Sequence, residues 1–215
     1  MPGLLVAFEG LDQSGKETQA GLLIAFEGLD QSGKETQAGL LRERLQQERR
    51  DVRFLSFPDY GTPIGDQLAR ALRGEQAYGP DVMQLLFIAN RYERRAEIER
   101  SLADSAIVLC DRYVASSVAY GEAHGLDPDW LGDIQRFLPR PDLTVLLDIA
   151  PETALGRKTA GRDRYERDLL LLARVRESYR RQAGHPAWIR LDGERGKSAV
   201  AGDVLSAVAS RLARP

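Results

Sequence analysis

The sequence predicts a three-layer α/β sandwich, a five-stranded parallel sheet flanked by helices. Three observations carry that reading. Apolar runs of strand length alternate with longer stretches of helical period, as in sheets buried on both faces. An early apolar run leads directly into a glycine-rich turn with a lysine. The 215 residues suit a single domain with a real core, and no low-complexity linker divides them.

Taken in order, strands are expected at residues 23–27, 52–56, 106–110, 143–148 and 188–191. A helix over 36–49 carries Ala38, Leu41 and Leu45 on one face. Val82, Leu86, Ala89, Glu93 and Ala96 recur at spacings of three and four, so 81–101 reads as one long helix. Residues 166–182 form a strongly charged helix containing Leu169, Leu170, Leu172, Ala173 and Val175. A small amphipathic helix over 200–211 closes the pattern.

Composition excludes several classes. The 30 Lys and Arg against 32 Asp and Glu leave a net charge of −2, which gives no global pull toward a nucleic-acid polymer or an anionic membrane. No apolar run approaches the roughly 18 residues of a membrane span. The N-terminus lacks the pattern of a signal peptide. Cys110 is the only cysteine, which rules out an internal disulfide, and His124 and His185 lack metal-ligand spacing. These features lead to the expectation of a soluble, cytoplasmic protein.

One stretch is written twice. Residues 4–21 read LLVAFEGLDQSGKETQAG and residues 22–39 read LLIAFEGLDQSGKETQAG, differing only at Val6 and Ile24. Each copy is a strand followed by G-x-x-x-x-G-K, the core of a P-loop. Its glycines allow a tight turn whose N–H groups face phosphates, its lysine reaches the outer oxygens, and the next helix adds positive potential. The chain is therefore expected to be a P-loop NTPase that binds a nucleoside triphosphate. In the second copy Gly28, Gln31, Ser32, Gly33, Lys34, Glu35 and Thr36 would make the loop. Gly10, Gly15 and Lys16 match equally in residue type. Glu35 stands where P-loops usually carry the Ser or Thr whose hydroxyl meets Mg²⁺; a carboxylate there would hold the ion directly or through water.

Connectivity favours the second copy. Using the first would insert 18 residues behind the phosphate loop and interrupt the first helix with Gly21, Gly28 and Gly33. Each would cost about 1 kcal/mol relative to Ala in a helix interior. Additions at a terminus are tolerated better. Residues 1–21 are accordingly expected to be a duplicated N-terminal extension and 22–215 the folded domain. Because the C-terminal strand ends hold ligands in such sheets, the spare loop is expected far from the substrates.

Five further segments narrow the class. Phe57-Pro58-Asp59-Tyr60-Gly61-Thr62-Pro63-Ile64-Gly65 follows the second strand. Leu85-Leu86-Phe87-Ile88-Ala89-Asn90-Arg91-Tyr92-Glu93 lies on the long helix. Asp111-Arg112-Tyr113 follows the third strand and leads into Ser116-Ser117-Val118-Ala119-Tyr120. Pro139-Arg140-Pro141-Asp142-Leu143 precedes the fourth, and Arg162-Asp163-Arg164-Tyr165-Glu166 opens the charged helix. In this order, from Leu22 to near the C-terminus, they resemble the thymidylate kinase family.

The resemblance implies phosphoryl transfer from MgATP to dTMP, with Mg²⁺ and ATP as cofactor and donor, in a homodimer. It implies that Lys34 and the loop hold the ATP phosphates and that Arg112 and Phe57 contact dTMP, with Arg112 on its phosphate. Asp111, with Glu35, would lie at the metal. Asp30 would accept a hydrogen bond from the deoxyribose 3′-OH. Phe87 would stack on thymine, Arg91 would bond its edge, Ser116 would line the substrate site, and Tyr120 would crowd the 2′ position. Arg157, Lys158, Arg162 and Arg164 would fall in a lid. Gln31 stands where some members place an arginine in the P-loop, so the catalytic arginine, Arg157 or Arg162, should come from the lid. Tyr60 stands where others carry a basic residue, which leaves Arg112 a larger share of the acceptor phosphate. By residue pattern alone Phe87 suits a core position, Arg91 a snorkelling side chain and Asp111-Arg112 a surface pair. Alternatives to dTMP kinase activity are a kinase for another deoxynucleoside monophosphate, or a nucleotide-binding protein without turnover.

Overall fold

The computed structural model describes residues 21–157 and 168–212. Five parallel strands, β1 (Leu22–Glu27), β2 (Val52–Ser56), β3 (Ile107–Asp111), β4 (Leu143–Asp148) and β5 (Trp188–Asp192), lie in the order β2-β3-β1-β4-β5. The expected five-stranded parallel sheet is present. The central strand comes from the second copy of the repeat; the first copy lies outside the described residues.

Burial explains the strand sequences. β1 runs between β3 and β4 and is covered on both faces, so five of its six residues are buried. Ile24 and Phe26 face α1 (Lys34–Gln47) and α9 (Lys197–Leu212), packing with Ala38, Leu41, Leu45, Val200, Val204 and Val208. Leu23 and Ala25 face the other layer, with Val108, Cys110, Tyr113 and Ile98. That layer contains α4 (Arg95–Ala103), α5 (Val114–Ala123) and α8 (Leu169–Gln182), the last two packed against each other. β2 is an edge strand, and only Val52 is fully buried in it. α6 (Pro128–Asp133) and α7 (Pro151–Arg157) complete the helices of this framework.

The long helix expected over 81–101 is two helices, α3 (Pro80–Glu93) and α4, which meet at Arg94. The Arg94 N–H bonds the Arg91 carbonyl in a tight turn, and its guanidinium forks onto Asp59 at 2.7 and 2.6 Å. The halves bury different faces. Met83, Gln84, Ile88 and Arg91 are buried on α3, which packs on α2 (Pro63–Leu72) and α5, whereas Ile98 and Ser101 are buried on α4, which packs on β3. Val82, placed on the apolar stripe by its spacing, is 38% exposed. Period continues across so slight a break, and so does not reveal it.

α2 is an additional helix beyond those expected, although Ile64, Leu68, Ala71 and Leu72 recur at helical spacing and Thr62 caps it by accepting the Gly65 N–H at 3.0 Å, with Pro63 opening it. Asn90 of α3 pins the preceding loop. Its Oδ1 accepts the Asp59 N–H at 2.7 Å, and its Nδ2 donates to the Asp59 carbonyl and Thr62 Oγ1. Gly65 sits so close that a Cβ would lie 1.8 Å from the Asp59 carbonyl oxygen. Gly65→Ala should therefore cost about 3 kcal/mol, the upper end for overpacking, read as a drop in the urea midpoint. An unchanged midpoint would show that this loop yields freely.

Candidate active site

The turns following β1, β3 and β2 converge at the C-terminal edge of the sheet, where such folds hold ligands. They enclose a cleft of about 490 Å³ lined by Asp30, Gln31, Gly33, Lys34, Glu35, Thr36, Ser56, Phe57, Pro58, Tyr60, Asp111, Arg112 and Arg157.

The loop from Gly28 to Gly33 has left-handed backbone at three points: Gly28 (φ 140°), Gln31 (φ 64°) and Gly33 (φ 94°). At Gly28 a Cβ would also meet the Leu147 carbonyl oxygen at 2.5 Å, so both conformation and space demand glycine. α1 begins at Lys34 without a side-chain cap, which leaves its first N–H groups turned to the cleft. Lys34 is buried and donates to the Leu29 carbonyl at 2.7 Å. Burial, aided by the Arg112 charge, lowers its pKa to about 8, against the pull of Asp30, Asp111 and Glu27. Free helix donors and a buried ammonium on one cleft form an anion site of triphosphate character.

Arg112 follows β3 with φ 62°, a strained geometry for a side-chain-bearing residue. Its backbone N–H bonds the Phe26 carbonyl at 2.8 Å. Its guanidinium pairs with Asp30 at 2.6 Å and donates to the Gly28 carbonyl, Ser116 Oγ, Tyr179 Oη and Tyr120 Oη, while lying 5.4 Å from the Tyr120 ring centre. Burial works against its charge, but Asp30, Tyr120, Tyr179 and Asp111 outweigh this and raise its pKa.

Arg91, unlike the half-buried Arg112, is buried. Its Nη1 donates to Ser117 Oγ at 2.7 Å and the Phe87 carbonyl at 3.2 Å, and its Cζ lies 5.9 Å from the Phe57 ring centre. Burial lowers its pKa, with Glu27 the main opposing charge. Its Nε has no partner among the described residues. Phe87 is half-buried one turn before it on α3.

Asp111 Oδ1 is likewise buried without a partner among the described residues, at the base of the cleft. Glu35 and Thr36 are exposed on the cleft wall. Among the described residues no three His, Cys, Asp or Glu side chains gather at one point. The Asp111 oxygen, with the Glu35 and Asp30 carboxylates also on the cleft lining, suits Mg²⁺, which keeps several waters and shares phosphate oxygens.

The remaining expected residues are placed as follows. Ser32 is buried behind the loop, with Oγ lacking a partner among the described residues. Ser116 is buried beneath Arg112 rather than in the cleft lining. Arg157, expected in a lid, ends α7 and reaches the Gln31 and Gly193 carbonyls at 3.0 and 3.1 Å, tying the loop to the turn after β5. Lys158, Arg162 and Arg164 lie outside the described residues.

A family model described as thymidylate kinase matches residues 26–204. The chain belongs to the thymidylate kinase family. The thymidylate kinase of Plasmodium falciparum (isolate 3D7) is 34% identical over 214 residues, covering 99% of this chain and 93% of that protein. A probable thymidylate kinase of Pyrobaculum aerophilum is 36% identical over 203 residues, 93% of each. A solved structure of thymidylate kinase from Candida albicans matches with a TM-score of 0.79 at 29% identity, covering 89% of this chain and 92% of that one.

Two members of this thymidylate kinase-family site escaped the sequence. Glu27 and Tyr179 are buried and bonded to each other at 3.1 Å behind Arg112. A carboxylate closing an otherwise apolar strand, and a tyrosine in register with Leu172 and Val175, were the available signals.

A bound triphosphate favours the Lys34 ammonium and so raises its pKa, taking up a proton near pH 8. Triphosphate affinity should be level below pH 8 and fall about tenfold per pH unit above it. Calorimetry in two buffers of different ionisation enthalpy checks the uptake; a buffer-independent heat at pH 8 would refute it.

Proposed function

We propose that this chain transfers the γ-phosphoryl group of ATP to dTMP, giving ADP and dTDP. The observation that carries this reading is the single cleft shared by Lys34, the free end of α1 and Arg112. Lys34 and the loop N–H groups hold the donor phosphates from below. Arg112, across the cleft, holds the acceptor phosphate. A dTMP phosphate oxygen attacks the γ-phosphorus in line as the bond to the β–γ bridging oxygen breaks. Such transfers need positioning and charge neutralisation more than a protein nucleophile. Asp111, through the Oδ1 that has no partner among the described residues, and Glu35 would hold Mg²⁺, which neutralises phosphate charge when bound.

The nucleoside reading draws on the arrangement behind the cleft. Arg91, with Nε in reserve, offers donors to the thymine edge beside Phe87. Tyr120, whose ring lies against Arg112, would crowd a 2′-hydroxyl of the acceptor sugar. Asp30 accepts from Arg112 and would also accept from the 3′-OH. Arg157 and Arg162 would bring cations to the donor phosphates. A homodimer through the outer face of α3 is supported by Val82 and Leu85, exposed there at 38% and 44%. A cytoplasmic location accords with the absence, among the described residues, of any helix long and apolar enough to cross a membrane.

ADP release with dTMP, dUMP, dCMP, dGMP and UMP tests the reading. dTMP should lead; equal turnover of UMP would overturn the assignment, as would nucleotide binding with no ADP release. Arg112→Ala should lower kcat/KM at least about a hundredfold in a folded protein. Arg91→Ala should raise the dTMP KM by about 10- to 100-fold, the loss of a buried hydrogen bond to a charged group.

The proposed use of the second loop copy has its own test. Lys34→Ala should abolish transfer and Lys16→Ala should leave it nearly unchanged. The reverse result would move the site to Asp12, Gly15 and Lys16. Glu35→Thr restores the usual hydroxyl and should retain activity, with an altered Mg²⁺ dependence. Collapse of that variant would show that the carboxylate itself is required.

A further inference from the structure

The Glu27 carboxylate is fully buried at the end of β1, yet lies outside the lining of the cleft. Among the described residues its hydrogen bonds lead to groups that adjoin Arg112. Oε1 accepts the backbone N–H of Tyr113, the residue after Arg112, at 2.8 Å. Oε2 accepts from Ser116 Oγ at 2.6 Å and from Tyr179 Oη at 3.1 Å. Those two hydroxyls lie 2.8 Å apart, and Arg112 Nη1 donates to both, at 3.3 and 3.4 Å.

Hydroxyl geometry gives this arrangement a direction. Each hydroxyl has one proton and two lone pairs. A carboxylate accepts only, so the Ser116 proton goes to Oε2 and the Tyr179 proton to Oε2 or to Ser116 Oγ, and in either case each hydroxyl keeps a lone pair for the guanidinium. The same carboxylate clamps the backbone. Arg112 is left-handed at φ 62°, and its N–H is fixed to Phe26 on one side while the next N–H is fixed to Glu27 on the other. Such strain persists only where surroundings over-determine it.

We propose that Glu27 is a positioning residue for phosphoryl transfer, which sets Arg112 in the orientation that receives the acceptor phosphate by polarising Ser116 and Tyr179 and pinning the Arg112 turn. This rests on the reading of Arg112 as the acceptor-phosphate ligand. Ser116 then serves Arg112 from beneath rather than contacting dTMP. Tyr179, on α8, joins that helix to the same task.

Glu27→Gln is the discriminating variant. It keeps the size and the acceptor for the Tyr113 N–H. Its amide group donates instead of accepting, so the two hydroxyls must turn their lone pairs to it and their protons toward Arg112. The expected result is a fall of about 30-fold or more in kcat/KM for dTMP per folded molecule, with the ATP KM within twofold of wild type. In a Ser116→Ala/Tyr179→Phe background, the same substitution should cost less than about threefold, because the relay is already gone. A second readout needs no turnover. In ¹⁵N spectra of arginine side chains in the ligand-free protein, the Arg112 signals, assigned by their loss in Arg112→Lys, should broaden in Glu27→Gln.

A folded Glu27→Gln protein with dTMP kcat/KM within threefold of wild type and unchanged Arg112 signals would overturn the proposal. Equal rises in the ATP and dTMP KM would do so too, since they would mark a general structural role. Should Glu27→Gln fail to fold, Tyr179→Phe and Ser116→Ala must each reproduce the dTMP-selective loss, or the proposal fails. Failure of Arg112→Ala to impair the wild-type reaction would instead sink the underlying reading of the site.

Discussion

A carboxylate buried at the end of the central strand obliges its surroundings to satisfy it. Glu27 is sealed from solvent, with the charges of buried Arg91 and half-buried Arg112 acting on it, and accepts three hydrogen bonds. Burial pushes its carboxyl up, while Ser116, the two arginines and the Tyr113 N–H pull it back. A buried charge without such partners would cost several kcal/mol. The elements that supply the partners are therefore fixed relative to β1: the turn after β3, the first turn of α5, and the middle of α8. The turn after β3 lines the cleft through Asp111 and Arg112, and the two helices hold Arg112 from behind.

The opposite wall depends on backbone rather than side chains. Gly28, Gln31 and Gly33 hold conformations that expose N–H groups, and α1 starts uncapped. Lys34 rests on the Leu29 carbonyl, with its charge disfavoured by burial. The site thus holds unsatisfied positive character on one side and a forked, fully supported guanidinium on the other. Asp30 spans the two, leaving the loop to meet Arg112. An anion entering here replaces interactions that the protein by itself leaves incomplete, which is the electrostatic preorganisation that phosphoryl transfer uses.

Much of this was legible in advance because local chemistry decides it. The inner strands β1, β3 and β4 are buried on both faces and so apolar almost throughout, while the edge strands β2 and β5 showed as shorter mixed runs between helical stretches. The loop glycines are needed at particular backbone angles, so their spacing survives in the sequence. What was lost lay where a decision depends on partners distant in the chain. The break at Arg94 serves Asp59, 35 residues earlier. Tyr179 reaches Glu27, 152 residues away. Ser116 looked like a group facing substrate until its neighbours placed it beneath Arg112. α2 is written locally as well, in the Thr62-Pro63 start and in the stripe of Ile64, Leu68, Ala71 and Leu72.

The sequence by itself determined the parallel sheet, the phosphate loop and the order of motifs that marks the family, because each is written in contiguous residues obeying local sterics or period. Only the tertiary structure decided how those motifs act together. It set which copy of the repeat supplies the described central strand, the burial of the Asp111 Oδ1 without a partner among the described residues, the pairing of Asp30 with Arg112, and Glu27 as the point on which Arg112 is oriented. The physical reason is that a buried charge has no preferred partner in sequence. Its partners are whichever groups the packed sheet and helices bring within about 3 Å, the range of a hydrogen bond.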